Sequence, residues 1–144
     1  MESLFYCTPK RVALAALTER LAALGLIDSI DARRSMTALV YRGEVWFSLR
    51  ETPRPDWAIF EEPQLRVLRD GGVDSVFQID CRASLLDSIR PQLCAMIRSF
   101  DGWIGLDDGD FSTRLTLADL EESGGSLRSV IVAMSSDAEA FDPF

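Results

Sequence analysis

The chain has 144 residues, of which 47% are hydrophobic and 26% charged, and these values exclude a disordered chain and a fibrous coiled coil. Its formal net charge is −8 and it contains no histidine, which removes the commonest general base and the commonest metal ligand. The length suits one compact domain, which we expect to cover residues 1–134, with an acidic tail over residues 135–144.

The N-terminal part of the chain predicts a strand followed by a helix. The strand is expected over residues 3–7, which are mostly apolar. Thr8 is a favourable N-cap and Pro9 a favourable first helical residue, so the helix is predicted over residues 9–24. Gly25 stands where a left-handed residue commonly ends a helix.

A connector over residues 26–34 leads to a predicted hairpin with strands at residues 36–41 and 44–50. Its turn is Arg42-Gly43. With a two-residue turn, the pairs facing the core are Val40 with Val45, Ala38 with Phe47, and Met36 with Leu49. Because Arg-Gly is a less favourable two-residue turn than Asn-Gly, a one-residue bulge is the alternative.

The middle of the chain combines an irregular loop with an alternating strand. Residues 51–57 contain two prolines and predict a loop, while residues 58–69, interrupted by Pro63, predict a strand and then a short helical or extended piece. Residues 73–81 alternate apolar and polar side chains. This pattern favours a strand with one largely hydrated face, in an antiparallel or mixed sheet.

The remainder predicts a second helix and short strands. Ser84 and Asp87 resemble a capping box that opens a helix over residues 84–99, and Pro91 is expected to kink it or to split it into two pieces. Thr116 and Asp119 favour a short helix near residues 116–123. The further strands are predicted at residues 103–106, 111–115 and 127–134.

These elements predict an α+β fold. We expect a single domain with a mostly antiparallel or mixed sheet of about six to seven strands and two main helices packed on one face. The two halves of the chain share a rough order of elements, but no repeat of residues accompanies it.

Catalytic signatures are not found in the sequence. The three cysteines at positions 7, 81 and 94 have no CxxC spacing and are expected to be reduced thiols in the core. The turn over residues 107–110 lacks the spacing of a calcium-binding loop and is interpreted as a turn. We therefore predict no enzyme, no cofactor and no metal, although a carboxylate pair such as Asp80 with Asp108 leaves a histidine-free enzyme open.

The charge is unevenly distributed along the chain. Residues 1–100 are neutral overall, and residues 101–144 carry the whole net charge of −8. This balance argues against a nucleic-acid partner and favours a basic protein partner, or simply a soluble acidic surface. The absence of a basic and apolar leader, and of any apolar run near 20 residues, predicts a cytoplasmic protein that does not enter the membrane.

Aromatic and acidic residues are the best candidates for recognition of a partner. Tryptophan is enriched at interface hot spots, and acidic side chains steer basic partners. The predicted partner-binding residues are Trp46, Trp57, Glu61, Glu62, Trp103, Asp107, Asp108 and Asp110.

Residues 73–108 resemble the small cytoplasmic immunity proteins of bacterial polymorphic-toxin, type VI and contact-dependent inhibition systems. The resemblance consists of a strand ending in Ile79-Asp80, a helix, and the run from Phe100 to Asp108. It implies a non-enzymatic α+β protein that neutralises one cognate toxin acting in the cytosol by covering its active site. The alternative is a small regulatory or ligand-binding domain, for which a pocket lined by Trp46 or Trp103 would be evidence.

Overall fold

Seven strands and four helices make up the part of the chain that the computed structural model describes, namely residues 2–33, 36–53, 57, 59–106, 111 and 114–122. The strands are β1 (Glu2–Thr8), β2 (Ser29–Arg33), β3 (Met36–Tyr41), β4 (Glu44–Glu51), β5 (Ser75–Cys81), β6 (Trp103–Leu106) and β7 (Arg114–Leu115). The helices are α1 (Leu14–Ala23), α2 (Glu62–Asp70), α3 (Arg90–Phe100) and α4 (Leu117–Glu122).

The strands form one antiparallel sheet in the order β2-β3-β4-β5-β1-β6-β7. The first strand of the chain therefore lies inside the sheet, between β5 and β6. The predicted α+β class and the single domain are confirmed.

One face of the sheet, here called the helical face, carries the larger core. Its strand residues include Tyr6, Leu49, Phe77 and Ile79, each completely buried. Residues of α1, α3 and α4 belong to the same apolar cluster, with Leu93 of α3 among them. The two main helices thus cover one face, as predicted, because their apolar stripes require a common partner.

The opposite face, here called the back face, carries a smaller core at its β1, β5 and β6 side. Phe5 and Val76 project into this cluster, and α2 covers them with Leu68. The Phe5 ring meets Phe60 and Phe111 edge to face, at centroid distances of 5.4 and 5.7 Å. An aromatic layer therefore joins α2 to this half of the back face.

The end of α3 is tied to β1 by two buried hydroxyl groups. The Tyr6 hydroxyl lies 3.0 Å from the carbonyl oxygen of Met96 and 2.5 Å from that of Asp101. The Thr8 hydroxyl donates to the carbonyl oxygen of Phe100 at 2.6 Å. The bonds to Phe100 and Asp101 reach carbonyl groups at the C-terminus of α3, where an α-helix leaves them without a helical partner.

The prediction of a first helix starting at Pro9 is wrong. Thr8 is the last residue of β1, and α1 begins at Leu14, because the Thr8 side chain is engaged by α3 and does not cap α1. The predicted end of that helix is confirmed by Gly25, which has a φ of 71°. Its N–H donates to the carbonyl group of Ala22, and the Leu26 N–H to that of Leu21, as in a Schellman motif.

Two prolines begin helices where the sequence analysis expected interruptions. Pro63 lies in the first turn of α2, so residues 62–70 are helical and contain no strand. Pro91 lies in the first turn of α3, which is preceded by a separate 3₁₀ turn at Ala83–Leu85, so the segment is split into two pieces and no continuous kinked helix runs from residue 84. At this position proline loses no helical hydrogen bond.

The connector predicted over residues 26–34 contains the strand β2, which pairs with β3. The hairpin itself is confirmed, with Arg42 and Gly43 both at positive φ, but its register shifts by one residue between Leu39 and Val40. Leu39 therefore faces Phe47. The bulge alternative is the one observed.

The later elements agree better with the sequence. Strands β5 and β6, the β7 pairing and α4 all lie within the predicted segments. Asp119 Oδ2 accepts the Thr116 N–H at 2.8 Å, which confirms the predicted cap. The strand predicted over residues 127–134 and the tail over residues 135–144 lie outside the described residues.

Candidate functional site: a groove on the back face of the sheet

The described residues cover the back face over only part of its width. Within the described residues, the cluster under α2 contains side chains of β1, β5 and β6 and none of β2, β3 or β4. On the uncovered side, Val45 of β4 is 43% exposed. Among the described residues, no helix covers this half of the sheet.

A groove of about 370 Å³ occupies this uncovered side and is here called the open groove. Its lining includes Met36, Ala38, Val45, Trp46, Ser48 and Asp80. Arg82, which is exposed, also borders it. The walls are mostly apolar with a few polar groups, a composition typical of recognition surfaces.

The bulge in the β3–β4 hairpin builds the open groove. Val45 pairs with Val40 and Phe47 pairs with Leu39, so Trp46 is the additional residue of the bulged strand. The Trp46 ring meets Tyr41 edge to face, at a centroid distance of 5.0 Å. Trp46 packs partly against the larger core and also lines the groove, so its ring is supported from behind.

A carboxylate with two side-chain donors forms the polar part of the groove. Asp80 Oδ1 accepts the Ser3 hydroxyl at 2.6 Å and the Gln78 Nε2 at 3.1 Å. Ser48 and Ser3 flank Asp80 on the neighbouring strands. The two donors hold the carboxylate in one orientation, so it is prepared to accept a further hydrogen bond from a bound group.

Metal ligation and thiol chemistry receive no support from the described residues. No group of three or more His, Cys, Asp or Glu side chains in this part of the chain is placed to hold a metal ion. All three cysteines are buried, as expected. Burial raises the pKa of the Cys7 and Cys94 thiols, which disfavours the reactive thiolate at both positions.

The structure separates the predicted partner-binding residues into different regions. Trp46 lies in the open groove, as described above. Trp57 is only 8% exposed, and its indole Nε1 donates to the carbonyl oxygen of Thr52 at 2.9 Å. Trp57 is therefore a core residue of the aromatic layer beneath α2, and its role in partner binding stays a prediction.

Three other candidates lie around α2 and β6. Glu61 precedes α2, where its N–H donates to Gln64 Oε1 at 3.0 Å, and Glu62 forms a surface ion pair with Arg69 at 3.4 Å. Trp103 is half-buried and lies beneath the guanidinium group of Arg114, 5.6 Å from the ring centroid. Each has a local structural partner and none lines the open groove.

The acidic candidates Asp107, Asp108 and Asp110 lie outside the described residues. The chain enters that segment from Leu106, which pairs with Leu4, which in turn pairs with Ile79. Leu106 is therefore two strand spacings, roughly 10 Å, from β5 and at the end of the sheet where the open groove lies.

Sequence reasoning missed Met36, Val45 and Ser48 as groove residues. The two-residue turn placed Met36, Ala38 and Val45 on the core face of the hairpin, whereas the register shift places Leu39 there. The signal was present in the Arg-Gly turn, since the bulge alternative transfers Met36 and Ala38 to the opposite face.

Comparison of the chain with protein families, curated proteins and solved structures gave no match. Among the described residues, no helix has the length and apolar character needed to cross a membrane.

Proposed function

We propose that this chain is a cytoplasmic immunity protein that binds and neutralises a toxin acting in the cytosol, and that it catalyses no reaction. The open groove is the observation that carries the proposal, because it presents a supported tryptophan on an uncovered sheet face. The same surface is where we expect the toxin to bind.

The chemistry of the groove suits a protein partner. Interface hot spots are commonly aromatic side chains held by their own neighbours and surrounded by groups that exclude water. Trp46 has such support from Tyr41, and Val45 adds exposed apolar surface beside it. Asp80, oriented by Ser3 and Gln78, offers a directional acceptor to a basic or hydroxyl side chain of the toxin.

The distribution of charge gives independent support. The net charge of −8 belongs to residues 101–144. Acidic residues near a binding surface accelerate association with a basic partner, and salt weakens this effect. Neutralisation then follows from occupation of the toxin surface.

A growth assay tests this proposal. The reading frame adjacent to this chain in its genome is expressed with and without the chain, and its toxicity is measured as growth arrest. We expect wild-type protein to restore growth, Val45→Glu to fail, and Ile59→Glu to succeed. Ile59 is the matched control because it is an exposed aliphatic residue, at 67%, that does not line the groove.

Three outcomes would contradict the proposal. One is an adjacent product that is harmless when expressed alone, and a second is growth arrest that the wild-type chain does not relieve. The third is full rescue by Val45→Glu, which would remove the open groove from the interface. Thermal unfolding of both variants shows whether a failure of rescue reflects a failure to fold.

A second candidate function is binding of a small molecule by a regulatory domain. The open groove favours it, since its volume of about 370 Å³ lies within the range of small-ligand sites and Trp46 lines it. A screen of metabolites by thermal shift, with Trp46→Phe as the control variant, separates the two functions. A ligand that stabilises the wild type and not this variant would favour the second candidate.

A further inference from the structure

A second groove lies between α1 and α3, on the helical side of the sheet, and is here called the α1/α3 groove. Its volume is about 350 Å³. Its lining includes Arg20, Leu24, Leu26, Ala95, Arg98 and Ser99. The groove therefore combines an apolar floor with two cationic side chains, in a protein whose net charge is −8.

The apolar floor is held in place by hydrogen bonds. Gln92 is 1% exposed and donates its Nε2 to the carbonyl oxygen of Leu26 at 2.8 Å. The Schellman motif at Gly25 fixes the same turn from the side of α1. Leu24 remains 45% exposed between these constraints, so an apolar side chain is presented to solvent on rigid backbone.

The two guanidinium groups lie at the other end of the groove. Arg20 Nε donates to Ser99 Oγ at 3.2 Å, which places it beside Arg98 on α3. Within the described part of the chain, the two terminal nitrogens of Arg20 have no hydrogen-bond partner. Arg98 uses one terminal nitrogen in an ion pair with Glu121 of α4. Both groups retain N–H donors that match a carboxylate.

The spacing of these features matches a helical ligand. The contacts Arg20–Ser99 and Leu26–Gln92 show that α1 and α3 are antiparallel and mark the ends of the groove. Seven residues of α3 separate Gln92 from Ser99, a rise of roughly 10 Å or two helical turns. An amphipathic helix places apolar and charged side chains at such intervals.

We propose that the α1/α3 groove binds an acidic amphipathic helix of a partner protein. An apolar side chain of that helix packs on Leu24 and Ala95, and a carboxylate one or two turns away binds Arg20 and Arg98. Charge complementarity selects this partner, since Arg20 and Arg98 line the groove and no acidic side chain is among its described lining residues. The inference does not depend on the proposed function, because it concerns the opposite side of the sheet.

The ion pair between Arg98 and Glu121 predicts how affinity for the helix changes when Glu121 is replaced. Glu121 is a carboxylate of this chain that already occupies one of the two cations, so it competes with the incoming helix. Both side chains are substantially exposed, so the pair itself contributes little to stability. Removing the Glu121 carboxylate is therefore expected to strengthen binding of the acidic helix. A general loss of structure would weaken that binding instead.

The probe is a synthetic helical peptide of 16 residues with leucine and glutamate spaced four residues apart, compared with the same peptide carrying glutamine for glutamate. Binding to the full-length chain is followed by amide chemical shifts in a two-dimensional NMR titration. We expect saturable shifts at Arg20, Leu24, Ala95 and Ser99 with the acidic peptide. The dissociation constant is expected to rise about tenfold for the double variant Arg20→Gln and Arg98→Gln, and to fall about two- to threefold for Glu121→Gln.

Arg69→Gln is the matched control, since Arg69 is an exposed arginine in an ion pair on α2 and lies outside the groove. Its affinity for the peptide is expected to equal that of the wild type. Equal binding of the glutamine peptide, unchanged affinity of the double variant, weaker binding by Glu121→Gln, or no saturable shift at millimolar peptide would each overturn the proposal. Unchanged thermal unfolding of each variant confirms that the fold is intact.

Discussion

The two halves of the back face lie on different strands of one sheet, and they differ in what covers them. On the β1 and β5 side, Phe5 and Val76 lie beneath α2 in a dry aromatic layer. On the β3 and β4 side, Ala38, Val45 and Ser48 border an open groove. The covered half therefore buries apolar surface and stabilises the fold. The half that borders the open groove exposes a mixture of apolar and polar groups to water.

The largest effect expected from this difference concerns two aromatic residues of the back face. Phe5→Ala removes a ring from the covered half and is expected to cost about 3–5 kcal/mol of unfolding free energy. Trp46→Ala removes a half-buried ring from the open groove and is expected to cost only about 1–2 kcal/mol. Chemical denaturation measures both values.

The milder variant Phe5→Leu keeps this comparison measurable if Phe5→Ala does not fold. Leucine fills part of the volume of the phenylalanine ring, so this variant is expected to lose less unfolding free energy than Phe5→Ala. Equal losses for the Phe5 and Trp46 variants would show that the two halves do not differ in the way described here.

A smaller effect is expected at the polar connection between the sheet and α3. Tyr6→Phe preserves the ring but removes the hydroxyl group that serves the carbonyl oxygens of Met96 and Asp101. Because these acceptors are left without that donor, we expect a loss of about 1–3 kcal/mol. Denaturation of Tyr41→Phe is the control, since Tyr41 is only half-buried at the end of β3; a similar loss there would contradict the account.

The covered regions also predict a loss of stability in alkaline solution. Burial raises the pKa of the Cys7 thiol and of the Tyr6 hydroxyl above their ordinary values of about 8.5 and 10. The folded chain therefore keeps protons that the unfolded chain releases. Stability is fully present below pH 8.5 and falls as pH rises, by up to about 1.4 kcal/mol per pH unit for each group.

Denaturation at a series of pH values measures this decline. The Cys7→Ala variant is expected to lose stability less steeply between pH 8.5 and 10, because one of the groups that ionise on unfolding is absent. A wild-type stability that stays constant up to pH 10 would be inconsistent with the burial of Cys7 and Tyr6.

Local sequence signals predicted elements well where tertiary contacts did not compete with them. Gly25 ended α1 and Thr116 capped α4, because each acts through its own backbone neighbourhood. Thr8 was misinterpreted because its hydroxyl group binds Phe100, which is distant in sequence. Pro63 and Pro91 were expected to interrupt elements, whereas both begin helices. A proline marks the boundary of an element, but its residue type does not indicate whether the element lies before or after it.

The candidate site was less predictable than the fold. Trp46 was identified by its residue type, but its neighbours depend on a register shift that no single residue specifies. Trp57 carries the same residue-type signal and is nevertheless buried, because its cluster involves Phe5 and Phe111 from distant parts of the chain. Composition therefore indicates which residues are able to bind a partner, and packing decides which of them are exposed.

The central proposal is that the open groove binds a toxin, while the covered half of the back face supports the fold. Amide hydrogen exchange of the complex between this chain and its toxin, compared with the free chain, tests it most directly. We expect new protection in residues 36–48 and 80–82, with no change in α2. Protection confined to α2, with exchange at residues 36–48 unaltered, would contradict the account.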